Sequence, residues 1–316
     1  MRRVSGPIRL PSPVSRLPTP STNRIASAFE KARREGRAAF IGYLTAGDPS
    51  AEATVAMARA LARAGTDILE IGVPFSDPIA DGPVLQRSAE RALASGTTLD
   101  RVFEMARTIR AQTDLGLVLF SYLNPLLRPG LGRSAQKARG AGFDAVLVTD
   151  LPPEEAGHFQ PALRSAGLDT VFLVSPTSPA SRMREAARLS SGFLYVVSRS
   201  GTTGARSDLS RDLRETVARA RRATGSLPIA VGFGISTPGT ARRASRLADG
   251  VVVGSALMRA AEEAGEGREE AVEVLARALA AACRRGGRSV DSRKSSLEKK
   301  TRAGRERNSG LRTLDS

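Results

Sequence analysis

Glu70 and Asp81 lie in one stretch, Leu69-Glu-Ile-Gly-Val-Pro-Phe-Ser-Asp-Pro-Ile-Ala-Asp-Gly-Pro83. The stretch opens as a short apolar strand, with Glu70 near its end. Gly72, Pro74 and Pro78 then break regular structure, because proline fixes φ and lacks an N–H donor. Asp81-Gly-Pro83 closes the loop before an amphipathic segment. Two carboxylates on a strand end and a stiff loop suit acid–base chemistry, since different surroundings push paired pKa values apart. Each residue type also has a structural reading: Glu70 as a salt-bridge partner, Asp81 as the N-cap of a helix with Pro83 in its first turn.

These carboxylates need a scaffold, and the hydrophobic pattern predicts one. Ile25–Glu35 reads as an N-terminal helix. Eight Val/Leu/Ile-rich runs follow, at Ala39–Leu44, Asp67–Ile71, Leu117–Tyr122, Ala145–Val148, Thr170–Val174, Phe193–Val197, Pro228–Val231 and Gly250–Val253. Such runs are expected of strands buried on both faces of a parallel sheet. Helical patterns separate them, one being a continuous helix over Glu154–Ala166. Eight strand–helix units in roughly 250 residues predict a (β/α)8 TIM barrel with an extra N-terminal helix. An open doubly wound sheet is disfavoured, because no GxGxxG follows the first strand.

In a barrel, chemistry sits at the carboxyl ends of the strands. All three tyrosines, Tyr43, Tyr122 and Tyr195, fall at those ends, with Phe120 and Phe233. They predict a pocket for a flat apolar ligand or an aromatic plug in the barrel mouth. Gly232-Phe-Gly234 and Gly254-Ser255 follow the seventh and eighth strands, where backbone N–H groups and a helix N-terminus favour a phosphate. The polar loop Ser198–Gly204, carrying Arg199 and Thr203, reads as a lid or as a mobile surface turn.

Composition narrows the class. The chain has 316 residues, one cysteine and one histidine. That excludes an internal disulfide framework and a Cys- or His-rich metal centre. His158 reads as a solvated helix position, and no apolar run reaches the ~18 residues of a membrane span. The net charge of +16 resides mainly in the ends: residues 1–24 carry +5 and residues 284–316 carry +7, leaving +4 for 25–283. Residues 1–24 and 288–316 read as disordered basic tails flanking one catalytic domain, 25–287. The N-terminal tail also has transit-peptide composition.

Over residues 25–283 the chain resembles the tryptophan synthase alpha subunit family. The resemblance rests on LEIGVPFSDPIADGP, YLTAGDP, VTDLPPEE, SRSGTTGAR, GFGIS and the GSA after the eighth strand. It implies a lyase of tryptophan biosynthesis that cleaves indole-3-glycerol phosphate to indole and glyceraldehyde 3-phosphate by a retro-aldol reaction. Glu70 matches the family's general acid/base, Asp81 the carboxylate that accepts the indole N–H, and Tyr195 a residue beside the Glu. Tyr43, Phe120, Leu147 and Phe233 match its indole pocket. Gly204, Gly234, Gly254 and Ser255 match its phosphate cradle, and Arg199 and Thr203 its lid. Asp77 and Asn124 match surfaces facing a beta subunit. The resemblance further implies an α2β2 assembly in the cytoplasm, no cofactor or metal in this chain, and pyridoxal phosphate in the partner. The alternatives are a stand-alone lyase releasing free indole, another phosphate-binding barrel enzyme, and a nucleic-acid binder using the basic tails. Phe120 and the Gly-Thr-Thr-Gly lid depart modestly from the family pattern.

Overall fold

A computed structural model of the chain describes residues 23–197, 206–232 and 234–285, with backbone alone for 206–211. Eight parallel strands close into a barrel in sequence order. They are β1 (Ala39–Thr45), β2 (Ile68–Gly72), β3 (Gly116–Ser121), β4 (Ala145–Val148), β5 (Asp169–Val174), β6 (Phe193–Val197), β7 (Ile229–Gly232) and β8 (Gly250–Val253). Closure is through β8 and β1, where Ala39 pairs with Gly250 and Gly42 with Val253. Each expected strand is found to within two residues, because burial on both faces makes the run apolar throughout. The expectations for 1–22 and 286–316 lie outside the described residues.

The helices between strands are α2 (Ala51–Arg63), α3 (Pro83–Ala94), α4 (Leu99–Gln112), α5 (Leu123–Leu127), α6 (Leu131–Gly140), α7 (Phe159–Ser165), α8 (Ala180–Leu189), α9 (Arg206–Thr224) and α10 (Pro238–Ser245). After β8 come α11 (Ser255–Ala264) and α12 (Arg268–Ala282). Two expectations change. The five-residue α5 appears where only a strand end was expected. The single helix over Glu154–Ala166 is instead a 3₁₀ turn, Pro153–Glu155, followed by α7. Pro161 is the reason: inside a helix its ring would clash with the carbonyl four residues earlier, at Gly157. As the third residue of α7 it avoids this. His158 is exposed in the turn before α7, solvated but outside the helix proper.

The N-terminal helix, α1 (Arg24–Arg34), closes the barrel floor. It begins one residue earlier than sequence suggests, because the Asn23 side chain accepts from Ala26 N at 3.0 Å and caps it. Ile25 and Phe29 on one face are buried, and Phe29 meets Phe193 of β6 with ring centroids 5.6 Å apart. Gly116 and Gly250 give these side chains room. A Cβ on Gly116 would lie 2.9 Å from Ile25, and one on Gly250 3.0 Å from Phe29.

Carboxylates at strand entrances tie strands together in pairs. Asp67, just before β2, accepts from Phe40 N of β1 at 2.8 Å and receives both terminal nitrogens of Arg37. Asp144, before β4, accepts from Leu117 N of β3 at 2.9 Å and from Arg110 at 2.7 Å. Asp249, before β8, accepts from Ile229 N of β7 at 2.9 Å and from Arg221 at 2.6 Å. Before β6 a hydroxyl takes the place: Ser191 Oγ accepts from Thr170 N of β5 at 3.0 Å. Hydrogen bonds to charged groups contribute about 1.5–3 kcal/mol each, so these clamps are substantial local fixtures.

Candidate active site

Strand register decides which side chains share the barrel interior. Tyr43 pairs with Glu70, Phe120 with Leu147, and Leu173 with Tyr195. A cavity of about 600 Å³ opens above this layer at the carboxyl ends of the strands. Tyr43, Glu70, Asp81, Phe120 and Tyr195 line its deep side, and Gly234, Ser236, Gly254 and Ser255 its rim by β7 and β8. Leu147 is fully buried in the interior beside Phe120 but is outside the cavity wall. Phe233, Arg199, Thr203 and Gly204 lie outside the described residues. Among the described residues, no group of three or more His, Cys, Asp or Glu could hold a metal ion.

Glu70 is 1% exposed, and its Oε1 has no hydrogen-bond partner. Among the described residues it has no ion pair, so the salt-bridge reading falls away. Burial alone pushes its pKa from 4.5 up to about 8. A carboxyl so placed is protonated at neutral pH and faces the cavity. Orphaned buried polar atoms are uncommon and costly, and they concentrate at functional sites.

Asp81 differs in kind. The N-cap of α3 is Gly82, with Pro83 as its first residue and no side-chain cap, so Asp81 does not cap the helix. Its Oδ2 accepts from the Tyr122 hydroxyl at 3.1 Å. That hydroxyl in turn accepts from Ala80 N at 2.9 Å. Burial raises the Asp81 pKa, and the Tyr122 hydrogen bond works against that rise. Tyr122, expected with the other two tyrosines to wall a pocket or plug the barrel mouth, does not line the cavity but holds Asp81 instead.

Glycines set the aromatic walls. A Cβ on Gly72 would sit 2.1 Å from the Tyr43 hydroxyl, and one on Gly232 would sit 2.0 Å from that of Tyr195. These two glycines let the rings lie across the ends of β2 and β7. Tyr43 also meets Phe120 edge-on, with centroids 5.2 Å apart. Burial pushes both Tyr43 and Tyr195 well above the usual phenol range, so both remain neutral donors.

The rim carries a cation that sequence reading missed. Arg259 lies four residues after Ser255 on α11 and lines the cavity. Residues at that spacing share a helix face, which is the signal that could have found it. It makes no salt bridge among the described residues. Its neighbour Glu262 is held by Arg87 at 2.8 Å and Arg91 at 2.7 Å from α3. Arg91 also binds the buried Asp48 at 2.7 Å, so the helix after Asp81 is braced against the helix that begins at Ser255.

Asp77 and Asn124 are exposed outside the cavity, near its mouth. Two large apolar side chains are exposed in the same loop and in α5: Ile79 at 85% and Leu127 at 48%.

A family model described as tryptophan synthase alpha chain matches residues 29–284. The tryptophan synthase alpha chain of Solibacter usitatus is 50% identical over 243 residues, 77% of this chain and 91% of that one. That of Geobacter sulfurreducens is 48% identical over 257 residues, 80% of this chain and 97% of that one. Among solved structures, the Legionella pneumophila tryptophan synthase subunit alpha is 39% identical with a TM-score of 0.75, covering 83% of this chain and 99% of that one. A tryptophan synthase structure from M. tuberculosis is 35% identical with a TM-score of 0.76, covering 83% of this chain and 99% of the matched chain. With the barrel closed as expected and the two carboxylates facing one cavity, the chain belongs to the tryptophan synthase alpha chain family, the lyases of tryptophan biosynthesis that cleave indole-3-glycerol phosphate.

Proposed function

We propose that Glu70 is the proton-transferring group of this cleavage and Asp81 the group that stabilises its cationic intermediate. Breaking the bond between indole C3 and the glycerol chain requires a proton on C3 and removal of one from the adjacent hydroxyl. Glu70, neutral near pH 7, gives its proton to C3. The indole ring then carries positive charge as an indoleninium. The ionised Asp81 accepts the indole N–H and stabilises that charge. As the C–C bond breaks, its electron pair restores the aromatic ring. The hydroxyl oxygen becomes the aldehyde, and its proton returns to Glu70. The reaction balances without water or a redox partner, and it needs no cofactor in this chain.

Tyr43, Phe120 and Tyr195 form the apolar wall against the indole, and Leu147 backs Phe120 from beneath. Gly254 and Ser255 present the N-terminal end of α11 to the phosphate, where aligned N–H groups favour an anion, and Gly234 adds the loop after β7. Arg259 adds a full positive charge on the same face. Phe233, Gly204, Arg199 and Thr203 keep the pocket, cradle and lid roles that the family resemblance gives them. The partner is a beta subunit carrying pyridoxal phosphate, in an α2β2 assembly in the cytoplasm. It docks on the rim formed by Asp77, Ile79, Asn124 and Leu127. The exposed Ile79 and Leu127 support this, since a mixed apolar and polar rim is typical of interfaces.

The single observation carrying the reading is the buried, unpartnered Glu70 carboxyl facing the same cavity as Asp81. The test is incubation of the purified chain with indole-3-glycerol phosphate, measuring indole and aldehyde. Glu70→Gln should lose about 10²–10⁴-fold in rate, the usual range for general acid–base catalysis. Asp81→Asn should also be severely impaired. Full activity in either variant would remove that residue from its role.

A further inference from the structure

We propose that Tyr122 is the positioning residue for Asp81, fixing one carboxylate oxygen so that the other is presented to the indole N–H. The inference rests on the roles given to Glu70 and Asp81 under Proposed function. A tyrosine hydroxyl has one proton to give. The Ala80 N–H, at 2.9 Å, occupies its oxygen as an acceptor. Its own proton is thereby directed at Asp81 Oδ2, 3.1 Å away. Asp81 Oδ1 has no hydrogen-bond partner among the described residues. The substrate N–H therefore finds one oxygen free and the other already held.

The ring that carries this hydroxyl is itself anchored. Tyr122 is 3% exposed and packs on Phe75 with centroids 5.2 Å apart at 33°. Phe75 and Ala80 both belong to the loop that ends at Asp81. One side chain at the end of β3 thus grips this loop at three points: Phe75, Ala80 and Asp81. Without that grip the loop keeps the stiffness of Pro74 and Pro78, and its far end is held only through α3, where Gln86 donates to Asp81 O at 2.9 Å.

The titratable groups around Asp81 favour this arrangement. Burial and the Asp81 charge push both Tyr43 and Tyr122 above the usual phenol range, so Tyr122 remains a donor at any working pH. Glu70 and Arg259 line the same cavity. Asp150, which accepts from Leu123 N at 2.7 Å, adds its charge to those that push Tyr122 up. The Tyr122 hydrogen bond lowers the Asp81 pKa against the effect of burial, keeping the ionised form available.

The experiment uses the full chain and Tyr122→Phe, which keeps the ring and its contact with Phe75 and removes only the hydroxyl. Thermal unfolding checks that the fold is retained. A charge-assisted hydrogen bond predicts a fall in kcat of about ten- to a hundredfold. KM should change by less than about threefold, because the apolar contact remains. The acid limb of the kcat–pH profile should move to higher pH, as Asp81 loses the bond that lowers its pKa. In an Asp81→Asn background the same substitution should cost less than about threefold, because residues acting through one another are not additive. An unchanged kcat and acid limb in Tyr122→Phe would overturn the proposal. So would an equal cost in the wild-type and Asp81→Asn backgrounds. If the wild-type chain itself fails to cleave indole-3-glycerol phosphate, the underlying reading fails. An active wild type with a silent Tyr122→Phe removes the positioning role alone.

Discussion

A carboxyl with a pKa near 8 inside a barrel is a cost to the fold as well as a tool. In the unfolded chain Glu70 ionises near its usual 4.5, whereas in the folded chain it holds its proton up to about pH 8. Between those values the folded state binds more protons than the unfolded state, so stability falls as pH rises. The shift corresponds to at most about 5 kcal/mol. Glu70→Gln removes this titration. The variant should be more stable than wild type at pH 8 and closer to it at pH 5, read as unfolding midpoints in urea at both values, while losing activity. A variant less stable than wild type at both pH values would contradict the burial argument. Arg259 makes a second expectation at this scale. Arg259→Gln should raise KM for the phosphate substrate about tenfold or more with little change in kcat, and should flatten the salt dependence of kcat/KM. Steady-state kinetics at two ionic strengths decides it. Glu70 and Asp81 could be picked out from sequence because stiff, proline-rich loops with paired acids are distinctive. The role of Tyr122 could not, because its partner Asp81 lies 41 residues away and only the closed barrel brings the two together, whereas Arg259 left only the helix-face spacing from Ser255 as a signal.

The strands were legible because each is a short apolar run with both faces buried. The helices were less so where proline intervenes. Pro161 forbids the continuous helix expected over 154–166, and Pro125 sits inside a five-residue helix too short to show periodicity. The strand-entrance clamps were not legible at all, since an aspartate before a strand looks like any loop acid. Asp67 is one of the most fully bonded of them, holding Phe40 N and both terminal nitrogens of Arg37. Asp67→Ala leaves a buried amide and a half-buried guanidinium without their acceptor. It should destabilise the domain by about 3 kcal/mol or more. Exposed acids such as Asp100, paired only with Lys137, should cost less than about 1 kcal/mol on the same change. Urea unfolding of both variants makes the comparison, and similar losses would show that the clamp contributes little.

For the whole molecule, the cavity, the Asp81 loop and α5 share one end of the barrel. A beta subunit docked there should restrain the loop that carries Asp81 and so raise the cleavage rate. Titrating the beta subunit into a fixed amount of this chain should give a saturable rise in aldehyde release. Leu127→Glu should weaken association by at least about tenfold, as read by sedimentation. A flat titration with association confirmed would reject activation through this rim. Among the described residues no helix is long and apolar enough to cross a membrane.

The floor of the barrel gives this arrangement its direction. Ile25 and Phe29 fill the amino end of the barrel completely, each at most 3% exposed. Among the described residues, the cavity is therefore closed at its amino end. Indole formed at the deep end finds the amino end of the barrel filled by Ile25 and Phe29. A partner seated across the carboxyl-end rim would stand where the product leaves, so a plug at the opposite end of the barrel would favour capture of a small apolar product there.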